Sequence, residues 1–393
     1  MRGHVLHRIA AILLLGGLCN VYMAAAPSFV GALVDYQGFS EAFAGRLISY
    51  SNIGATLASL LAILVIHRGG WDLRRTIAGC MLIVIVTSLG AATLSPWPWL
   101  LSINWFVNGI AAGLSFTVCA VALMTMPWME RTYAVLCGMP FILGGAGLAG
   151  LPTLYRSIGL EGVFGGIALL ALVALPMHRL FPIGVGPRNA VSAPTRDQFP
   201  AIAIPVTAIM VALFLFNAAN TGVWVYLERI GVSLGLSPED SGAILGPGLA
   251  AALIGMCGAG ILGDRLGHVI PIIAGLIAIT LATVALAAFT SPLVFGVASA
   301  VFNASITFVV PYFVAFAALL APSGRAVAAA NFLLMAGYSL GALVASYLLH
   351  GDSFSRLYFT SIAGFAIALA LTALVKRYDI KRLDDDSRAG TAT

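Results

Sequence analysis

The stretch Gly260-Ile-Leu-Gly-Asp-Arg-Leu-Gly-His268 sets an aspartate and an arginine in a short polar break between two apolar runs, 239–262 and 269–290. Each run is long enough to cross a ~30 Å hydrocarbon layer as a helix that rises about 1.5 Å per residue. A tight, charged turn between two such runs is what a chain needs where it leaves a bilayer and at once re-enters it.

The pattern repeats along the whole chain. Ten further apolar runs cover 8–34, 42–66, 73–94, 98–124, 132–155, 162–182, 201–227, 292–319, 326–349 and 355–375. Of 393 residues, 60% are hydrophobic and 9% charged, and the mean hydropathy is +1.01; soluble domains carry about 25% charged residues. The runs are continuous rather than alternating, which excludes a β-barrel. The expected fold is an all-α membrane protein with twelve transmembrane helices.

Charge follows the same plan. With the N-terminus placed in the cytoplasm, 16 of the 20 basic residues lie on that side, and only Arg46, Arg156, Arg229 and Arg356 on the other. The formal charge of +5 therefore marks topology and not a nucleic-acid partner. It predicts cytoplasmic termini in a bacterial-type inner (plasma) membrane. The apolar start ending in Ala24-Ala25-Ala26 has the look of a cleaved signal, but Pro27 follows at once and the run continues to Val34, so a retained first helix is expected. Cys19, Cys80, Cys119, Cys137 and Cys257 fall inside runs at unrelated spacings and read as small packed hydrophobes. The histidines form no metal-ligand cluster. No cofactor, metal or catalytic group is expected.

Between Pro182 and Pro200 the sequence PIGVGPRNAVSAPTRDQFP is rich in Pro, Gly and charge, and leaves six runs on each side. The two sides are related. Gly38-Phe-Ser-Glu-Ala-Phe-Ala-Gly45 and Gly235-Leu-Ser-Pro-Glu-Asp-Ser-Gly242 share one pattern at an offset of 197 residues, and the same offset pairs Asn20 with Asn217 and His67-Arg68 with Asp264-Arg265. The predicted organisation is two pseudo-symmetric six-helix bundles, 1–182 and 201–376, a cytoplasmic linker at 183–200 and a disordered cytoplasmic tail at 377–393.

Gly260-x-Leu-x-Asp264-Arg265-x-Gly267 is similar to the loop motif that the major facilitator superfamily places between the second and third helices of each half. The twelve runs and central linker resemble that family over nearly the whole chain. The first copy, Ile63-x-Val65-x-His67-Arg68-x-Gly70, departs from it, because His67 stands in place of the aspartate. The resemblance implies a secondary transporter whose Gly260, Asp264, Arg265 and Gly267, with Arg68, gate the cytoplasmic side. The alternative reading of the loop is a tight turn whose charges keep it in the cytosol.

Eight of nine asparagines lie in runs, and six of these, Asn20, Asn104, Asn108, Asn217, Asn220 and Asn303, fall on runs 1, 4, 7 and 10. Those four line the central cavity in the family resembled. With Trp105 and Trp224 they form a candidate polar, uncharged binding surface; the alternative is hydrogen-bonding glue between helices. Arg46, about 6 Å inside run 2, could hold a substrate carboxylate or snorkel to Glu41 or lipid phosphate. Glu228 and Arg229 read as a pair at the outer end of run 7. Trp105 replaces the arginine of drug/proton antiporters, and Leu151 replaces a glycine of their fifth-helix motif. The leading expectation is transport of a small organic metabolite, with a carboxylate as its handle. Efflux of hydrophobic compounds and a non-transporting receptor or assembly factor stay open. The expected partners are a small-molecule substrate, the lipid bilayer and, as one coupling option, a proton; the chain is read as a monomer.

Overall fold

The structure, a computed structural model, describes residues 2–66, 72–123, 129–182, 199–320, 324–349 and 354–376. Arg68, most of the linker and the tail 377–393 lie outside them. The described chain is helical throughout. The first crossing is built from α1 (Arg2–Cys19), α2 (Val21–Ala24) and α3 (Ala26–Gln37), and is followed by α4 (Glu41–Ile66), α5 (Leu73–Thr93), α6 (Pro98–Leu123) and α7 (Met129–Ala174). Then come α8 (Phe199–Val225), α9 (Leu227–Ser233), α10 (Pro238–Leu262), α11 (Val269–Ala288), α12 (Pro292–Leu320), α13 (Gly324–Leu348) and α14 (Ser355–Leu374).

Among the described residues, nine helices are each long and apolar enough to cross a membrane. One of them, α7, holds two crossings, because Gly159 interrupts it with φ 74° and ψ 167°, a conformation open essentially to glycine alone. With α1–α3 and α4 these make the twelve crossings of an all-α membrane fold, and their ends fall within a few residues of the apolar runs. The first crossing is broken at Asn20 (φ −105°) and Ala25 (φ −108°). Pro27 follows the second break; it has no N–H to continue the ladder and starts α3 afresh.

Two compact units are present, Met1–Ala190 with Val225–Gly246, and Val191–Trp224 with Pro247–Thr393. In the first, α4 and α6 approach backbone to backbone. A Cβ on Gly54, Gly109 or Gly113 would overlap the carbonyl of Phe106, Ser51 or Ala55 on the facing helix, the small-residue packing by which membrane helices gain van der Waals contact. In the second, Gly255 meets Ala304 and Gly341 meets Ala218 in the same way. Val86, Leu170, Ile254, Leu281, Leu293 and Phe359 are exposed, as side chains are where the solvent is lipid. Cys19, Cys80 and Cys119 are buried and none of the five cysteines is in a disulfide among the described residues, but Cys257 is exposed on α10 rather than packed.

Candidate functional site

The repeated pattern at Gly38 and Gly235 has a local cause. Both glycines take the left-handed conformation, φ 69° and φ 88°, which ends the preceding helix. Two residues on, Ser40 accepts a hydrogen bond from the Phe43 N–H at 3.2 Å and Ser237 one from the Asp240 N–H at 3.0 Å, each capping the next helix. The closing glycines permit close approach. Gly45 lies against the Tyr226 hydroxyl and Gly242 against the Leu148 carbonyl, with no room for a Cβ at either. The turn thus makes a hairpin at the face reached after an odd number of crossings, here called the far end.

At that end the seventh crossing is broken at Tyr226 (φ −105°), and α9 turns onto the first unit. Arg229 donates from both terminal nitrogens to Asp35 of α3, at 2.8 and 2.7 Å, and from Nε and Nη2 to Glu228, at 2.8 and 3.0 Å. Glu228 is 2% exposed and Arg229 5%. The Glu228 carboxylate fits against Gly31, where a Cβ would collide with it. The Ser241 hydroxyl donates to the Glu228 carbonyl at 3.3 Å, and Gly246 of α10 sits on Gly145 and Ala149 of α7. One guanidinium is shared by two carboxylates, that of Glu228 buried and that of Asp35 open to the surface. Breaking such a network by removing one member costs about 3–5 kcal/mol.

The residues singled out from sequence form two groups, one in each unit. In the first unit, Asn20 donates to the Gly16 carbonyl at 2.9 Å and to the Ser115 hydroxyl at 3.2 Å. Asn104 and Asn108 both donate to Thr87 of α5, to its carbonyl and its hydroxyl, at 2.9 Å each. They tie α5 to α6, and among the described residues the Asn108 carbonyl oxygen has no hydrogen-bond partner. Trp105 is buried edge-on against Tyr22, with ring centroids 5.3 Å apart. Arg46 is half-buried with its guanidinium 5.6 Å from the Phe43 ring, and with Glu41 it acts electrostatically on Tyr226. In the second unit, Asn217 donates to its own helix at 3.1 Å and Asn303 to its own at 2.8 Å. Asn220 is buried near the Tyr338 hydroxyl, and Trp224 is half-buried.

The loop that opened the sequence reading is a run of turns between α10 and α11. Gly263 (φ 52°) and Gly267 (φ 66°) supply its left-handed corners, and the Tyr312 hydroxyl of α12 donates to the Gly263 carbonyl at 3.1 Å. Asp264 meets His268 at 3.5 Å and is 85% exposed. Gly260 and Arg265 are also exposed, and among the described residues Arg265 has no ion-pair partner.

Sequence reasoning missed the union of Asp35 with Glu228 and Arg229. One signal was available: Gly31 and Glu228 stand 197 residues apart, the offset of the internal repeat, so the smallest residue of one copy occupies the position of a carboxylate in the other.

A family model described as Major Facilitator Superfamily matches residues 11–346. Among solved structures, the nucleoside transporter NupG superposes with a TM-score of 0.75 at 14% identity, covering 95% of this chain and 99% of its own. A mutant of the peptide transporter POT superposes with a TM-score of 0.74 at 12% identity, covering 94% of both chains. At such identities the likeness is one of fold. Among curated proteins no sequence matches the chain.

Proposed function

We propose, for a chain that belongs to the Major Facilitator Superfamily, that it moves a small organic solute across the membrane by alternating access, with Val225–Gly246 as the far-end gate. One observation carries this reading. The end of the seventh crossing and the start of the eighth, Val225–Gly246, pack with the first unit. A carrier must close each face of its pathway in turn, and a segment clasped by an ion pair across the chain is a means of closing one.

The basic residues on the near side support cytoplasmic termini in an inner membrane, so that the far-end gate faces outward. The asparagine groups support a polar, uncharged solute path, and Arg46 beside the gate supports a carboxylate as the solute's handle. The Asp264-Arg265 loop is read as the gate of the cytoplasmic side.

The test is a thermal-stability screen of the purified protein against small carboxylates, sugars, nucleosides, short peptides and lipophilic amines, since a ligand of the folded state raises its stability by mass action. Uptake or exchange of the stabilising compound in proteoliposomes follows. Stabilisation by a carboxylate, lost in Arg46→Ala, is the expected outcome. Stabilisation by lipophilic amines, unchanged in that variant, would replace it with efflux. No counterflow of any stabilising compound would sink the transporter reading.

A further inference from the structure

At the near end of the first unit the starts of the first and third crossings meet the end of the sixth. The sixth crossing closes in a 3-10 turn, Leu175–Leu180, and the carbonyls at its end have no further turn of helix to accept from. Two arginines reach them. Arg8 of α1 donates from Nε to the Leu180 carbonyl at 3.0 Å, and Arg74 of α5 donates from Nε and Nη2 to the Phe181 carbonyl at 3.2 and 3.0 Å. Both terminal nitrogens of Arg8 and Nη1 of Arg74 have no partner among the described residues. Anchorage on consecutive carbonyls draws two guanidiniums together, and like charges so placed repel.

No carboxylate on these segments answers that charge. α1, α5 and the 3-10 turn contain no Asp or Glu, while Arg179 on the turn adds a further exposed cation. Asp72, at the start of α5, is already engaged, accepting the Arg75 N–H at 3.1 Å and pairing with the Arg75 guanidinium at 3.1 Å. Membrane topology asks for basic residues on this face, but not for two guanidiniums fixed through Nε with their outer nitrogens left open. Around the cluster, Leu6 of α1 and Leu172, Val173 and Leu180 of the sixth crossing are exposed. They mark the edge of the hydrocarbon layer and set the arginines at the height of lipid headgroups.

We propose that this near-end cluster binds the headgroup of an anionic phospholipid, its phosphate held between the outer nitrogens of Arg8 and Arg74 with Arg179 at the rim. Guanidiniums meet phosphate oxygens through paired, charge-assisted hydrogen bonds, and basic sites between crossings on the cytoplasmic side suit anionic headgroups. The apolar border favours a lipid over a phosphate from solution. A lipid seated there ties the first and third crossings to the end of the sixth, just ahead of the linker. The site stands apart from the solute path and does not rest on the transport reading.

The experiment melts the full-length protein, stripped of lipid in detergent, at constant ionic strength with phosphatidylglycerol, phosphatidylcholine of the same chains, or inorganic phosphate. Phosphatidylglycerol alone is expected to raise the melting temperature, and to do so saturably. Arg8→Gln is expected to raise its half-maximal concentration about tenfold, and Arg179→Gln about threefold. Arg179→Gln breaks no bond among the described residues, so it reads the site even where Arg8→Gln fails to fold. Arg265→Gln removes an exposed near-end cation of the second unit and should leave the response unchanged. An equal response to phosphatidylcholine would mean that the chains alone matter, and an equal response to inorganic phosphate that the cluster takes a free anion; either overturns the lipid assignment. So does a protein that phosphatidylglycerol fails to stabilise. A response untouched by Arg8→Gln and Arg179→Gln, or weakened as much by Arg265→Gln, would mean that the basic face as a whole draws the lipid, and would overturn the site. No solute moves in these measurements, so a failure of transport in liposomes leaves them standing.

Discussion

The far-end clasp and the near-end loop both join acidic to basic groups at the rim of a membrane helix, and they stand at opposite extremes of burial. Arg229 is 5% exposed and chelated by two carboxylates, whereas Asp264 is 85% exposed, with its carboxylate 3.5 Å from a histidine. A charge pair in water is worth about 0–1 kcal/mol, and one taken out of water is costly to leave half-made. The clasp therefore acts as structure in this conformation. The loop keeps its charges available for another.

That contrast can be broken most directly at Arg229. Replacing it with methionine strands Asp35 and Glu228, and a loss of about 3–5 kcal/mol is expected in detergent unfolding experiments. Adding Asp35→Asn and Glu228→Gln should recover part of it; a triple variant no better than the single one would mean that the arginine acts by packing. Next in size is Gly31→Ala, where the new methyl meets the Glu228 carboxylate. A destabilisation of about 1–3 kcal/mol is expected, together with solute leak in reconstituted vesicles as the gate is wedged. Asn108→Leu removes the bond to Thr87 and should cost about 0.6 kcal/mol, the usual worth of such glue. A larger loss of transport than of stability there would place Asn108 on the solute path. The smallest effect belongs to Asp264→Asn, expected within about 0.5 kcal/mol of wild type in stability while still slowing transport. A melting temperature that falls as far as that of the Arg229 variant would abolish the distinction between the two ends.

The crossings were legible because lipid imposes continuous apolar stretches, and the observed helices start and stop close to where those stretches do. The stretches at Gly38 and Gly235 stood out in the sequence only as a repeated pattern; the left-handed glycine and capping serine behind it came from the backbone. The clasp was not legible. Asp35 and Arg229 are 194 residues apart, and nothing in the neighbourhood of either says which carboxylate an arginine will choose. The asparagines illustrate the same limit on a smaller scale. Their spacing gives a shared helix face, but only packing reveals that Asn104 and Asn108 turn that face toward Thr87. The helix breaks at Asn20, Ala25 and Tyr226 were equally hidden, because each leaves the hydropathy of its run intact.

Gly159 carries a consequence of a mechanical kind. It joins the fifth and sixth crossings within one run of 46 helical residues, interrupted at that single position. No slack loop lies between the two arms. A tilt imposed on one is handed to the other through a single pivot, so the pair moves as a bent lever rather than as two independent rods. A peptide tag spliced in at this corner would uncouple the arms, and an engineer seeking a silent insertion site should look elsewhere.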